Sequence, residues 1–145
     1  LKKALGEKIV EVKTPRKRRI FITTSAEYYK DVVRYLADKL QVIHVSTMTG
    51  LDAGTTLEVI SHFFGCGLQI SVKAIVPKDT PELDTITDLM PGALLYEREV
   101  HDMIGVTFKG HPDMSRLILP DEWPEGVYPL RKEYKAVQPE PIRKQ

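Results

Sequence analysis

The 145-residue chain has 21 basic and 20 acidic residues, so it lacks the broad positive field that would favour binding to nucleic acid. Its hydrophobic fraction of 42% and charged fraction of 28% are ordinary for one soluble globular domain. The single cysteine, Cys66, can neither close an intrachain disulfide nor hold an iron–sulfur cluster alone. No apolar run approaches the roughly 20 residues of a membrane-spanning helix, so we expect any membrane attachment to come through partners.

The N-terminal third predicts two short strands and a helix. Residues 9–13 alternate apolar and polar side chains, and a basic turn at residues 14–19 precedes a second strand at 20–23. Thr24 and Glu27 have the spacing of a capping box. Apolar residues then recur at helical spacing, namely Tyr29, Val32, Val33, Leu36 and Leu40.

The middle of the chain predicts three further strands. Residues 42–46 form the first and are followed by a turn at 50–52, whereas 57–64 and 68–76 form a hairpin around the Gly-containing loop 65–67. Side chains of the last strand alternate, with Leu68, Ile70, Val72 and Ala74 on one face and Gln69, Ser71 and Lys73 on the other. One face is therefore buried and one is wet, which predicts an α+β fold: a small mixed or antiparallel sheet with helices packed on one face.

Two helices are predicted beyond Pro77. The first is a short helix at residues 81–89 with Thr80 as its N-cap. The second, near residues 92–104, has Pro91 at its N1 position and ends at Gly105. Its apolar stripe comprises Ala93, Tyr96, Val100 and Met103.

Regular periodicity stops at Lys109, which divides the chain into a domain at residues 1–108 and an extended, Pro-rich arm at residues 109–145. Six of the ten prolines lie in this arm and prevent long regular elements. The arm nevertheless contains large apolar residues, including Trp123 and Tyr128, which a disordered tail would lack. Two interpretations remain open: the arm wraps a partner subunit, which we prefer, or it packs on its own domain.

A series of short motifs spans residues 97–134. In order they are Glu97-Arg98-Glu99-Val100-His101-Asp102, Gly105, Gly110-His111-Pro112-Asp113, Arg116 and Pro129-Leu130-Arg131-Lys132. This series closely resembles the signature of the 30-kDa subunit family of respiratory complex I, which includes related subunits of archaeal membrane-bound hydrogenases. One departure is Ser115, because the family commonly has two consecutive basic residues at this point and only Arg116 is basic here.

The resemblance implies a non-catalytic structural subunit in the hydrophilic arm of a complex-I-like oxidoreductase that couples electron transport to ion translocation. It implies no catalytic, metal or cofactor residue in this chain; iron–sulfur clusters, and a NiFe centre or flavin, would belong to partners. Those partners would be a large catalytic chain, like that of complex I or of a hydrogenase, together with iron–sulfur subunits. The chain would be peripheral, on the cytoplasmic face of the membrane. The departure at Ser115 and the short chain favour a compact, archaeal or hydrogenase-linked version.

The charged residues of the motifs form our predicted partner interface. They are Glu97, Arg98, Glu99, Asp102, His111, Asp113, Arg116, Arg131 and Lys132. On a helix, Glu97 and His101 are four residues apart, as are Arg98 and Asp102, so both pairs are expected to touch. The hypothesis is that the helix residues fix its orientation and that the arm clamps the large subunit.

A different class of function is a small metal-dependent enzyme. Glu97, His101, His111 and Asp113 would supply oxygen and nitrogen ligands. Such a site requires three or more of these side chains to converge, and turn hydrogen bonding accounts for His111 and Asp113 more simply. Separately, the basic run at residues 16–19 is interpreted as a solvated turn, with contact to lipid headgroups or an acidic neighbour as the alternative.

Overall fold

The structure, a computed structural model, describes residues 2–136 of the chain, so the end of the predicted arm (137–145) lies outside the described residues. The main elements in chain order are α1 (Lys2–Leu5), β1 (Glu11–Arg16), β2 (Arg19–Ser25), α2 (Tyr29–Leu40), β3 (His44–Asp52), β4 (Thr56–Gly65), β5 (Leu68–Pro77), β6 (Glu82–Asp84), α3 (Leu94–Ile104) and β7 (Thr107–Lys109). Single 3-10 turns precede α2 and α3, at Ala26–Tyr28 and Pro91–Ala93.

Five strands form one mixed sheet in the order β1-β2-β5-β4-β3. The β2–β5 pair is parallel, and the other neighbouring pairs are antiparallel. Strands β6 and β7 form a separate parallel pair. The predicted α+β fold with a small mixed sheet is confirmed.

Both long helices lie on the same face of the sheet. Tyr29 and Leu36 of α2 are fully buried, and the Tyr29 hydroxyl bonds the Ser61 hydroxyl of β4 at 2.6 Å. Helix α3 approaches β3 so closely that a Cβ on Gly50 would lie 2.7 Å from Ile104 Cγ1. In the described part of the chain, no helix has the length and apolar character needed to cross a membrane.

Several local predictions are wrong for identifiable reasons. The Thr24 hydroxyl donates to the Lys8 carbonyl at 2.7 Å instead of capping α2, which starts later without a side-chain cap. The turn expected at residues 50–52 is strand, because all three residues pair with β4. The helix expected at residues 81–89 is absent; β6 forms instead, since pairing with β7 buries its apolar side chain.

The hairpin between β4 and β5 is confirmed, but its loop is shorter than expected. Gly65 belongs to β4, and only Cys66 and Gly67 form the turn. Both residues have positive φ, 50° and 72°, as a type I′ turn requires. On β5, Ser71 is buried although it lies on the face predicted to be solvent-exposed, and its hydroxyl is hydrogen-bonded to His62 Nδ1 at 2.8 Å.

The predicted limits of α3 are confirmed. Pro91 stands at the start of the 3-10 turn that leads into the helix, and Gly105 ends it in the left-handed conformation with φ of 79°. Ala93 and Val100 of the predicted stripe are buried. Arg98 and Asp102 of this helix are directed toward the segment that follows it.

Candidate functional site

Asp102 on α3 binds three consecutive backbone amides of the arm. Its Oδ2 accepts the N–H groups of Leu117, Ile118 and Leu119 at 2.9, 2.8 and 3.2 Å. Burial opposes ionisation of this carboxyl, but the three amide bonds outweigh it and hold its pKa below the usual range. The arm is thus fastened to the helix by an ionised carboxylate in a little-exposed position.

Arg98 fastens the preceding part of the arm. Its Nε donates to the Ser115 carbonyl at 2.9 Å, and its Nη2 donates to the Arg116 carbonyl at 2.9 Å and the Ser115 hydroxyl at 2.8 Å. Asp113 Oδ2 lies 3.8 Å from Arg98 Nη1, and the Asp113 side chain is more exposed than that of Arg98. The predicted Arg98–Asp102 pair is wrong, because each side chain instead bonds the arm's backbone. Ser115, the departure from the family pattern, supplies two of the three acceptors, its carbonyl and its hydroxyl.

The Pro-Leu-Arg-Lys motif satisfies the end of α3. The last carbonyls of a helix have no partner within it; here the Leu130 N–H donates to the Met103 carbonyl at 3.0 Å. Arg131 Nε donates to the Ile104 carbonyl at 2.7 Å. The same guanidinium lies 4.5 Å from the centre of the Tyr128 ring. A cation at this position is also favoured by the helix dipole.

Asp52, at the end of β3, holds the arm from the sheet side. Its Oδ2 accepts the Lys132 N–H at 3.0 Å and lies 3.0 Å from Lys78 Nζ, while Oδ1 accepts the Gly54 N–H at 2.8 Å. The Lys132 amide, more than the other partners, holds the pKa of this carboxyl far below its usual range. Sequence reasoning missed Asp52, since an Asp in a predicted turn gives no sign of a partner 80 residues away.

Glu97, the first charged residue of the helix motif, is fully buried inside the domain. Its Oε1 accepts the Ile86 N–H at 2.9 Å and its Oε2 accepts the Thr85 hydroxyl at 2.6 Å. Burial raises the pKa of this carboxyl to about 7 in spite of both bonds. Glu97 therefore ties α3 to the loop after β6, and it cannot touch a partner directly.

His111 completes this internal network. The Asp113 N–H donates to its Nδ1 at 3.1 Å, so Nε2 carries the proton and donates to the Leu94 carbonyl at 3.1 Å. Nε2 lies 3.8 Å from Glu97 Oε2, and both side chains are buried. The Gly-His-Pro-Asp turn is thus anchored at the start of α3.

The metal-site alternative is not supported. Across residues 2–136, no group of three or more His, Cys, Asp and Glu side chains is placed to hold an ion. Glu97 is directed toward Thr85, whereas His101 Nδ1 lies 3.0 Å from the Val106 carbonyl, so the predicted Glu97–His101 pair is also wrong. Asp113 bonds the Ser115 amide at 2.9 Å instead of converging with them.

The described part of the arm, residues 109–136, packs on its own domain and on itself. Arg116 Nη2 donates to the Trp123 carbonyl at 2.8 Å, and the indole N–H donates to the Val127 carbonyl at 2.8 Å. A cleft of about 450 Å³ remains between arm and helix, lined in part by Asp102, Arg116 and Glu125. Of the predicted interface residues, Glu99, Asp113 and Lys132 are exposed; whether they touch a partner stays a prediction.

A glycine substitution tests how tightly the arm is seated. A Cβ on Gly105 would overlap the Tyr128 ring, whereas Gly126, with a similar positive φ, has no atom within 4 Å of its Cβ position. Gly126→Ala should cost about 1 kcal/mol of unfolding free energy from backbone conformation alone. Gly105→Ala should cost about 3 kcal/mol, because the ring must also move. Urea unfolding of both variants measures the difference; equal losses would show that the Tyr128 contact contributes nothing.

The fold and the site together define a class of protein: a small α+β domain whose motif charges hold its own C-terminal arm against one helix. The sequence pattern described as "Respiratory-chain NADH dehydrogenase, 30 Kd subunit" matches residues 22–140. The chain belongs to that family.

Similar proteins are named as parts of a hydrogenase, a dehydrogenase and a sulfur reductase. The membrane-bound hydrogenase subunit beta of Pyrococcus furiosus is 35% identical, over 95% of this chain and 83% of the relative. One subunit of the F(420)H(2) dehydrogenase of Methanosarcina mazei is 34% identical, over 74% of this chain and 70% of the relative. A chain of the membrane-bound sulfane sulfur reductase, an archaeal respiratory membrane complex, superposes with a TM-score of 0.79 at 28% identity, covering 92% of this chain and 82% of that one.

Proposed function

We propose that the chain is a structural subunit in the hydrophilic arm of a membrane-bound, complex-I-like oxidoreductase, where it docks against the large catalytic subunit. Family membership and relatives that are named subunits of membrane-bound complexes support this role. The docking proposal rests mainly on what the motif residues bind. Asp102 and Arg98 bond the arm's backbone, so they fix one arm conformation instead of performing chemistry.

The fixed arm presents apolar side chains to solvent. Ile118 is 53% exposed and Leu130 is 58% exposed, although each has its backbone N–H bonded to Asp102 or to the Met103 carbonyl. The backbone at these two residues is already fixed, whereas their large side chains are exposed. Such a surface is suited to binding, because docking would cost the arm little conformational entropy. The large catalytic subunit is the partner proposed for this surface.

The electron-carrying groups belong to the partners in this proposal. Cys66 is the chain's one cysteine and lies exposed in the β4–β5 turn, and one thiol does not hold an iron–sulfur cluster. The partners would carry the clusters, together with a NiFe centre or flavin. Attachment to the cytoplasmic face of the membrane would come through them. The relatives' names include hydrogenase, F(420)H(2) dehydrogenase and sulfur reductase, so the partners define the reaction.

Surface substitutions test the docking proposal without disturbing the fold. Ile118→Ser combined with Leu130→Ser should abolish co-purification of the large subunit from detergent-extracted membranes. Unfolding free energy should change by less than about 0.5 kcal/mol, as for most exposed positions. Val10→Ser is the matched control, because Val10 is 66% exposed but lies near the start of β1.

Point substitutions are preferable to deleting residues 109–145, since the deletion would also leave Asp102 and the last α3 carbonyls without partners. Unchanged co-purification of the double variant would refute the proposed surface.

A further inference from the structure

The β1–β2 hairpin carries an isolated concentration of positive charge. Residues 16–19 are four consecutive basic residues, and all of them are exposed. Within residues 2–136, no ion pair or side-chain hydrogen bond involves any of the four. Without them the chain has 17 basic and 20 acidic residues, a net charge of −3. The hairpin is therefore positive on an otherwise acidic molecule.

The folded hairpin places two of these charges in an unfavourable arrangement. Arg16 of β1 and Arg19 of β2 are direct cross-strand partners. Like charges directly opposite one another destabilise a strand pair. The described part of the chain has no carboxylate paired with either guanidinium to offset the repulsion. A bound anionic group would stabilise this pair of like charges.

Exposed aromatic rings lie next to the hairpin on the sheet face without helices. Register places Arg19 opposite Gln69 and Gln69 opposite Phe64, so Arg19 and Phe64 are two strands apart, about 10 Å. Phe21 follows two residues after Arg19 on the same face. Phe64 is 53% exposed and Phe21 is 40% exposed. Residues 16–19, Phe21 and Phe64 together define what we name the basic–aromatic face.

We propose that the basic–aromatic face is a second docking surface, which binds an acidic protein surface bearing aspartate or glutamate next to apolar side chains. Arginine guanidinium groups bind carboxylates in a bidentate manner, and the two rings supply apolar area beside them. The inference goes beyond the proposed function, because α3 and the arm lie on the opposite face of the sheet.

The charge distribution favours a protein over a lipid surface. Outside residues 16–19 the chain has a net charge of −3, so an extended anionic bilayer would repel most of the molecule. An acidic patch on a protein can contact the hairpin alone.

Carbodiimide cross-linking in native membranes tests the proposal, because the reagent joins an amine to a contacting carboxylate. Lys17 is the one amine among residues 16–19 and should be linked to an aspartate or glutamate of another protein. Lys17→Arg keeps the charge and should lose the link, whereas Arg16→Lys and Arg18→Lys should add links to the same acidic segment. The internal pair of Lys73 and Glu58, 3.0 Å apart, reports that the reaction worked.

Two outcomes would overturn the proposal. One is an internal Lys73–Glu58 link with no link from position 16, 17 or 18 to another chain. The other is flotation of the purified chain with phosphatidylglycerol vesicles that is lost in Arg16→Ser/Arg18→Ser and kept in the α2 control Arg34→Ser/Lys39→Ser, which would assign the face to lipid. Loss of large-subunit co-purification in the arm variants is a separate result, so failure of the proposed function and failure of this surface are distinguishable.

Discussion

Asp102→Ala is expected to lower the free energy of unfolding by about 3 kcal/mol, because it leaves three arm amides without their charged acceptor. The loss should also release residues 117–119 locally, since no other described hydrogen bond is made by those amides. Urea unfolding measures the global effect. Limited proteolysis between residues 114 and 122 measures the local one, with cleavage expected to be faster in the variant.

Two further variants are needed to interpret the Asp102→Ala result. Asp102→Asn retains a side-chain carbonyl acceptor but loses the charge, so its loss of stability should be smaller than that of the alanine variant. Asp121→Ala removes an exposed arm carboxylate and should leave the urea midpoint unchanged. If the alanine variant at 102 behaved like the one at 121, the arm would not be held by this carboxylate.

Glu97→Gln is expected to remove most of a pH dependence of stability that the native chain shows between about pH 4.5 and 7. The pKa of the Glu97 carboxyl is about 7 in the folded chain, against a usual value of 4.5. Between those values the folded state binds more protons than the unfolded state, so stability falls as pH rises. The difference corresponds to about 3 kcal/mol at pH 8 relative to pH 4.

Glutamine can serve this buried position without ionising. Its amide oxygen can still accept the Ile86 N–H, and its NH₂ group can donate to the Thr85 hydroxyl. Relative to the native chain, the variant should therefore gain about 2.5 kcal/mol between pH 5 and pH 8. Urea unfolding of both proteins at several pH values measures this gain.

The titratable groups around Glu97 are the same in the native chain and in the Glu97→Gln variant. Lys30, Asp88 and His111 surround it, and their own contributions largely cancel in the comparison. Glu99→Gln is the matched control, because Glu99 is exposed on the same helix. Its pH profile should parallel that of the native chain. A Glu97→Gln profile that also ran parallel would mean that Glu97 is ionised in the fold throughout this range.

Much of the local structure follows from patterns in the sequence. Apolar residues spaced along α2 predict its buried side, and Pro91 and Gly105 mark the limits of α3, because helix geometry and terminal conformations are local properties. For the same reason the β4–β5 hairpin follows from the Gly-containing loop predicted at residues 65–67. Short segments whose conformation depends on distant partners were predicted wrongly. Residues 82–84 form a strand only because β7 lies beside them.

The sequence by itself determined the α+β class, the order of most elements and the family, since periodicity and motifs are written along the chain. Only the tertiary structure decided what the motif charges bind. Arg98 and Asp102 bond the arm instead of each other, and Asp52 bonds Lys132 across 80 residues. The physical reason is that a charged side chain satisfies whichever donor or acceptor the fold brings within about 3 Å. Helical spacing shows only which side chains of one helix could contact each other. It does not show whether a donor or acceptor elsewhere in the fold binds them instead.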